Sequence, residues 1–272
     1  MTTSPPVEAS VRAAITAALG AIAAEERVAI LLAVESGSRA WGFASPDSDW
    51  DVRFLYARRT EWHLRLRPGR DVIERPLPGD LDVSGWDLRK TLGLLLGGNC
   101  AVREWLASPI VYAGRPDWVA ELRALADRVP ARRAAGHHYA ALARRVHGQW
   151  LGRRPVNLKK YLYAIRPALA LRWLRTHPAG MPPMDVPALL GGVTLAPDEA
   201  AALDALLAAK ARASEIGTGE PLPALDALIA GELARAAETA ALAPPLVVSD
   251  RVLAAADDML RRAAALADLC RT

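Results

Sequence analysis

At 272 residues the chain suits one large or two modest domains, and 52% apolar against 24% charged residues fits an ordinary globular protein. A net charge of +4 permits an anionic ligand without demanding one, and two cysteines, Cys100 and Cys270, with no CxxC argue against a disulfide framework or a structural zinc. The opening MTTSPPVEAS has no basic segment leading into an apolar core, and no apolar run reaches the roughly 18 residues of a membrane span, so a reduced, cytoplasmic setting without membrane contact is expected.

Helical spacing of apolar residues predicts a first helix over 7–26, and the apolar run VAILLAV at 28–34 predicts a buried strand. A polar loop, 36–48, leads into DWDVRFLYA at 49–57. There Val52, Phe54 and Tyr56 alternate with Asp49, Asp51 and Arg53, so one strand face enters a core and the other presents two carboxylates and a guanidinium. Two further strands are expected over 70–76 and 79–88. A helix over 87–98 follows, N-capped by Asp87 and stopped near Gly97 or Gly98, then a short helix and an edge strand within REWLASPIVYAG. From about residue 116 onward the pattern is helical, over 117–128, 133–151, 157–176, 198–214, 223–241 and 250–269. The expected fold is therefore α/β (α+β): a small mixed-sheet domain over 1–115, followed by an all-helical domain over 116–272.

The stretch ESGSRAWGFASPDSDWDVRF, 35–54, asks for a chemical explanation. Carboxylates two residues apart on one strand repel each other, which folding tolerates best when a cation sits between them. Gly37 and Ser38 follow a buried strand directly, where a glycine lets successive N–H groups turn inward to cradle phosphate oxygens. Asp82, between Leu81 and Val83 on another expected strand, adds a third carboxylate. Asp80 shares its face but lacks the apolar flank, so Asp82 is preferred. Three such acids suit Mg²⁺ or Mn²⁺, and two ions better than one. Alone, the aspartate pair could also be two solvated acids of a loop, and Arg53 could equally be a structural ion pair or a phosphate contact.

Gly-Ser, ten intervening residues, Asp-x-Asp and a later strand aspartate resemble the DNA polymerase β-like nucleotidyltransferase superfamily. The strings ESGSRAWGF, SDWDVRF, LDVSGWDLRK, EWLASPIVY and LKKYLYAIRP resemble its branch of bacterial and phage nucleotidyltransferases, some associated with RNA repair and RNA ligases. The resemblance runs from about 28 to about 176; Trp50 between the aspartates and Cys100 after Asn99 depart from it. It implies a palm-like domain that moves NMP from an NTP to an acceptor hydroxyl and releases pyrophosphate. It also implies that Asp49 and Asp51 hold two ions, that Asp82 completes the site for the attacking hydroxyl, and that Gly37 and Ser38 meet the β and γ phosphates. The acceptor stays open between an RNA end, a protein hydroxyl and a small molecule.

In NLKKYLYAIRP, Lys159, Lys160, Tyr163 and Arg166 fall at helical spacing, and the chain has only two other lysines, Lys90 and Lys210. Mainly through the resemblance, Lys159, Lys160 and Tyr163 are expected at the nucleotide; packing of the tyrosines is the alternative. Trp41, Trp50 and Trp86 could stack a base, with core packing favoured for at least two of them. Arg132 or Arg133 followed by His137 or His138 echoes a ribonuclease spacing that chance readily produces. The competing function is a non-catalytic nucleotide- or RNA-binding module, a partner of a toxin or RNA ligase. A glycosyltransferase built on Asp-x-Asp leaves the Gly-Ser turn and Asp82 unexplained.

Overall fold

The computed structural model describes residues 7–67, 69–76, 80–151, 154–212 and 217–269. They gather into two compact units, one from residues 7–37, 49–129 and 247–269, the other from 38–48 and 130–246. Gly79, residues 213–214 and Cys270, which entered the sequence reading, lie outside the described residues.

In chain order, α1 (Ala9–Glu26) ends at Arg27, whose φ of 52° turns the chain into β1 (Ala29–Glu35). The single turn α2 (Gly37–Ala40) follows, then β2 (Trp50–Ala57), the short α3 (Thr60–His63), β3 (Val72–Pro76) and β4 (Leu81–Asp87). Asp87 caps α4 (Leu88–Leu96) as expected, its side chain accepting the Arg89 N–H at 2.8 Å. Asn99 caps α5 (Cys100–Ala107) in the same way, and β5 (Val111–Gly114) and α6 (Pro116–Asp127) complete this run.

The helical unit holds α7 (Arg132–Val146), which runs into a π-helical turn over His147–Leu151, and the two-residue strand β6 (Val156–Asn157). Next come α8 (Leu158–Thr176), α9 (Val186–Gly192), α10 (Pro197–Arg212) and β7 (Thr218–Gly219). The helix expected over 223–241 is two, α11 (Pro223–Ala234) and α12 (Ala236–Ala241), which meet at Arg235. The last helix, α13 (Asp250–Leu269), belongs to the sheet unit.

The sheet has the order β3-β4-β2-β1-β5, with β2 and β4 parallel and every other neighbouring pair antiparallel. Its core forms where Ile15, Leu19 and Ile22 of α1 meet Val52, Phe54, Tyr56, Ala33 and Val83. Gly85 is required here, since a Cβ would stand 2.2 Å from the Phe54 ring. The alternation read from 49–57 therefore holds, with Val52, Phe54 and Tyr56 fully buried and Asp51 and Arg53 on the opposite face.

The compact units differ from a cut at residue 115, because α6 and α13 lie with the sheet and residues 38–48 lie with the helices. α13 packs on α3, α4 and β2, and Asp268 near its end accepts from the Thr60 N–H at 3.1 Å and hydroxyl at 2.6 Å. Sequence periodicity carries no information about such a return of the C-terminus. Among the described residues, no helix is long and apolar enough to cross a membrane.

Candidate active site

The parallel pairing of β2 and β4 sets Asp51 opposite Asp82 and Arg53 opposite Ser84. Partners in register share a sheet face, so both carboxylates and the guanidinium project together. Nη2 of Arg53 donates to Asp51 Oδ1 at 3.1 Å and to Asp82 Oδ2 at 2.7 Å, while Nη1 donates to the main-chain oxygens of Val52 and Asp82. The positive charge expected between the carboxylates is thus supplied by Arg53, the ion-pair alternative of the sequence reading. Asp80 instead accepts the Trp50 N–H with its main-chain oxygen at 2.7 Å.

Asp49 precedes β2 and is exposed. Burial lifts the Asp51 carboxyl above its ordinary range; Arg53 opposes that rise, and the charges of Asp82 and Asp49 add to it. The three acids therefore interact electrostatically. Their oxygens have the hard-donor chemistry a Mg²⁺ or Mn²⁺ ion requires. Yet among the described residues no three His, Cys, Asp or Glu side chains converge closely enough to hold an ion.

Two features fix Asp51 from behind. Gly37 has φ +61°, and a Cβ there would come within 2.0 Å of Asp51 Oδ2, so only glycine brings the turn this close to the carboxylate. Glu35, with no solvent exposure, accepts the Asp51 N–H at 2.7 Å through Oε1 and the Tyr112 hydroxyl through Oε2. Glu35 and Tyr112 escaped the sequence reading. The available signal was an acid closing an apolar run, directly before Ser-Gly-Ser.

The remaining expected residues belong to the helical unit. Ser38 is buried, and its main-chain oxygen accepts the Phe43 N–H at 3.1 Å. Arg39 donates from Nε to the Ser48 oxygen at 3.1 Å and so braces its own loop. Asn157 caps α8 by accepting the Lys160 N–H, and the Lys160 ammonium lies over the rings of Trp150 at 4.7 Å and Tyr163 at 5.2 Å. Lys159 is half-buried. Tyr163 also meets Trp41 and Phe43 edge to face, and the buried Arg166 covers Trp41 while donating to the Met184 oxygen at 2.8 Å. Trp41 and Arg166 are thus packing residues. Trp50 likewise packs against the core of its own unit.

Arg132 also proves structural, since it donates to the main-chain oxygens of Leu174, His177 and Gly180 at the end of α8.

The RNA repair pathway DNA polymerase beta family, RlaP, matches residues 11–262. The uncharacterized protein YcgL of Bacillus subtilis (strain 168) is 41% identical over 213 residues, which span 78% of this chain and 82% of that protein. The chain belongs to this polymerase beta-like family.

Proposed function

We propose that this family member is a metal-dependent nucleotidyltransferase that moves NMP from an NTP to an acceptor hydroxyl. The observation that carries the reading is the register of Asp51 against Asp82, with the Gly37 turn pressed onto Asp51. Two acids in register, one of them touched by a glycine turn, suit nucleotidyl transfer.

Asp49, Asp51 and Asp82 would hold Mg²⁺ or Mn²⁺, two ions in the full site, once Arg53 turns away from the carboxylates. When bound, the metal draws off the charge that builds on the reacting phosphates. By the family resemblance, Gly37 and Ser38 are assigned to the β and γ phosphates and Lys159, Lys160 and Tyr163 to the nucleotide. Arg53, released from its ion pairs, becomes a donor to a phosphate oxygen. The acceptor oxygen bonds to the α phosphorus, the bond from that phosphorus to the bridging oxygen breaks, and its electron pair leaves on pyrophosphate. The hydroxyl proton passes to Asp82.

A second reading, a nucleotide- or RNA-binding module without turnover, is favoured by one observation: Arg53 already neutralises Asp51 and Asp82. Incubating the protein with each α-labelled NTP, Mg²⁺ or Mn²⁺, and RNA, protein and small-molecule acceptors decides between the two. Label on any acceptor, with pyrophosphate released in equal amount, supports transfer. NTP binding without product under every combination supports the binding module.

A further inference from the structure

A cleft of about 510 Å³ opens on the sheet face that carries Asp82, lined among others by Arg53, Glu74, Ser84, Trp86 and Trp105. On β4, Asp82, Ser84 and Trp86 alternate with the buried Val83, Gly85 and Asp87, so the three stand in a row on one face. Trp105 of α5, only 6% exposed, backs Trp86 with ring centroids 4.1 Å apart, while Trp86 itself stays half-buried. An aromatic surface therefore begins four residues along the strand from the carboxylate Asp82.

The charge of this cleft indicates its occupant. Its four charged residues, Arg53, Arg75, Glu74 and Asp82, balance to zero, and the cations are already committed. Arg53 is held by Asp51 and Asp82, and Arg75 by Glu25 and Glu26. With these charges balanced, the cleft has no excess of cations to hold a triphosphate by itself. A neutral, flat group bearing a hydroxyl fits far better, and a volume of this size is ample for one base and its sugar.

We propose that this cleft binds the unpaired 3′-terminal nucleoside of single-stranded RNA as the acceptor, its base on Trp86 and its ribose hydroxyls toward Ser84 and Asp82. The assignment of this nucleoside as acceptor rests on the transfer reading above; the binding itself does not. A 3′ end offers two uncharged hydroxyls, whereas a terminal phosphate would bring negative charge against Asp82 and Glu74. A serine or threonine side chain of a protein acceptor would leave the indole surface uncovered. Stacking tolerates every base, so the cleft selects an end rather than a sequence.

The test is fluorescence anisotropy with a 5′-fluorescein single-stranded oligoribonucleotide carrying either a 3′-hydroxyl or a 3′-phosphate, on the full chain without NTP. Trp86→Leu removes the aromatic surface, Trp86→Phe restores a ring, and Ser84→Trp fills the cleft from the middle of the row. Circular dichroism and melting identify any variant that fails to fold. The expected result is binding of the hydroxyl end, weakened roughly five- to a hundredfold by Trp86→Leu and by Ser84→Trp, and largely kept by Trp86→Phe. The 3′-phosphate should bind more weakly. Absence of oligonucleotide binding, equal binding by the folded variants, or displacement by a serine-containing peptide but not by unlabelled RNA overturns the proposal. RNA held in the cleft without label transfer would sink the transfer reading and leave the cleft standing. Label moved to a protein with RNA ignored would do the reverse.

Discussion

The main-chain N–H of Asp51 donates to the carboxylate of Glu35, wholly buried, at 2.7 Å, and the other oxygen of that carboxylate accepts the Tyr112 hydroxyl. Glu35 thus ties the end of β1 to the first carboxylate of β2 and to β5. Glu35→Ala leaves two buried donors without partners, a loss of about 1–3 kcal/mol for each. Glu35→Ala is expected to lower the melting temperature clearly and to reduce NMP transfer, while Tyr112→Phe costs less because only one bond disappears. Parental stability in Glu35→Ala, measured by denaturant titration, would show that these bonds are not made.

Gly37→Ala places a methyl where Asp51 Oδ2 now stands and strains a backbone at φ +61°. A cost of about 1–3 kcal/mol is expected from the backbone alone, and the Asp51 carboxylate must rotate or the turn must shift. Transfer should fall far more than stability. A variant that is folded by circular dichroism and fully active would disconnect the turn from the site.

Burial raises the pKa of Asp51 above 3.8, with Arg53 opposing the rise and the charges of Asp82 and Asp49 reinforcing it. A carboxyl with a raised folded pKa takes up its proton more readily in the folded state. Its contribution to stability is therefore full below the unfolded value and is lost as the pH rises through the folded value. Asp51→Asn removes that loss. Metal-free, it should melt at the parental temperature or higher at neutral pH, with the difference shrinking toward low pH, while transfer and metal binding disappear. Asp49→Asn should likewise lose both with the fold intact. Melting curves from pH 3 to 8 in chelator, roughly spanning carboxylate titration, check the sign.

Arg53 stands where a metal's charge would stand, bridging Asp51 and Asp82 at 3.1 and 2.7 Å. Arg53→Met should destabilise the metal-free protein, because the two acids then face each other unscreened. Mg²⁺ or Mn²⁺ should in turn raise its melting temperature more than it raises the parent's, since no guanidinium has to be displaced. A variant indifferent to both ions in thermal melts would count against these carboxylates as a metal site.

Asp82 is in register with Asp51, whereas Asp80 contributes a main-chain oxygen to Trp50. Asp82→Asn is therefore expected to leave Mg²⁺–NTP binding close to parental yet abolish product, a loss in kcat rather than in nucleotide affinity. Asp80→Asn should behave as the parent in both assays. The opposite pattern would move the third carboxylate to Asp80.

Periodicity and local chemistry made much of this protein legible from the sequence. The alternation in DWDVRFLYA separated Val52, Phe54 and Tyr56 from Asp51 and Arg53, and the caps at Asp87 and the helical run of α8 followed from neighbouring residues. These are short-range effects, set by backbone geometry and by hydrogen bonds a few residues long. The tertiary structure decided the rest. Whether Asp82 or Asp80 meets Asp51 depends on the register of two parallel strands, since a two-residue slip would exchange one for the other on the same face. The Glu35–Tyr112 bond, the Trp86–Trp105 pair and the return of α13 to the sheet join residues far apart in the chain. No local preference encodes them; they exist because the whole unit must bury its apolar faces and satisfy its buried polar groups at once.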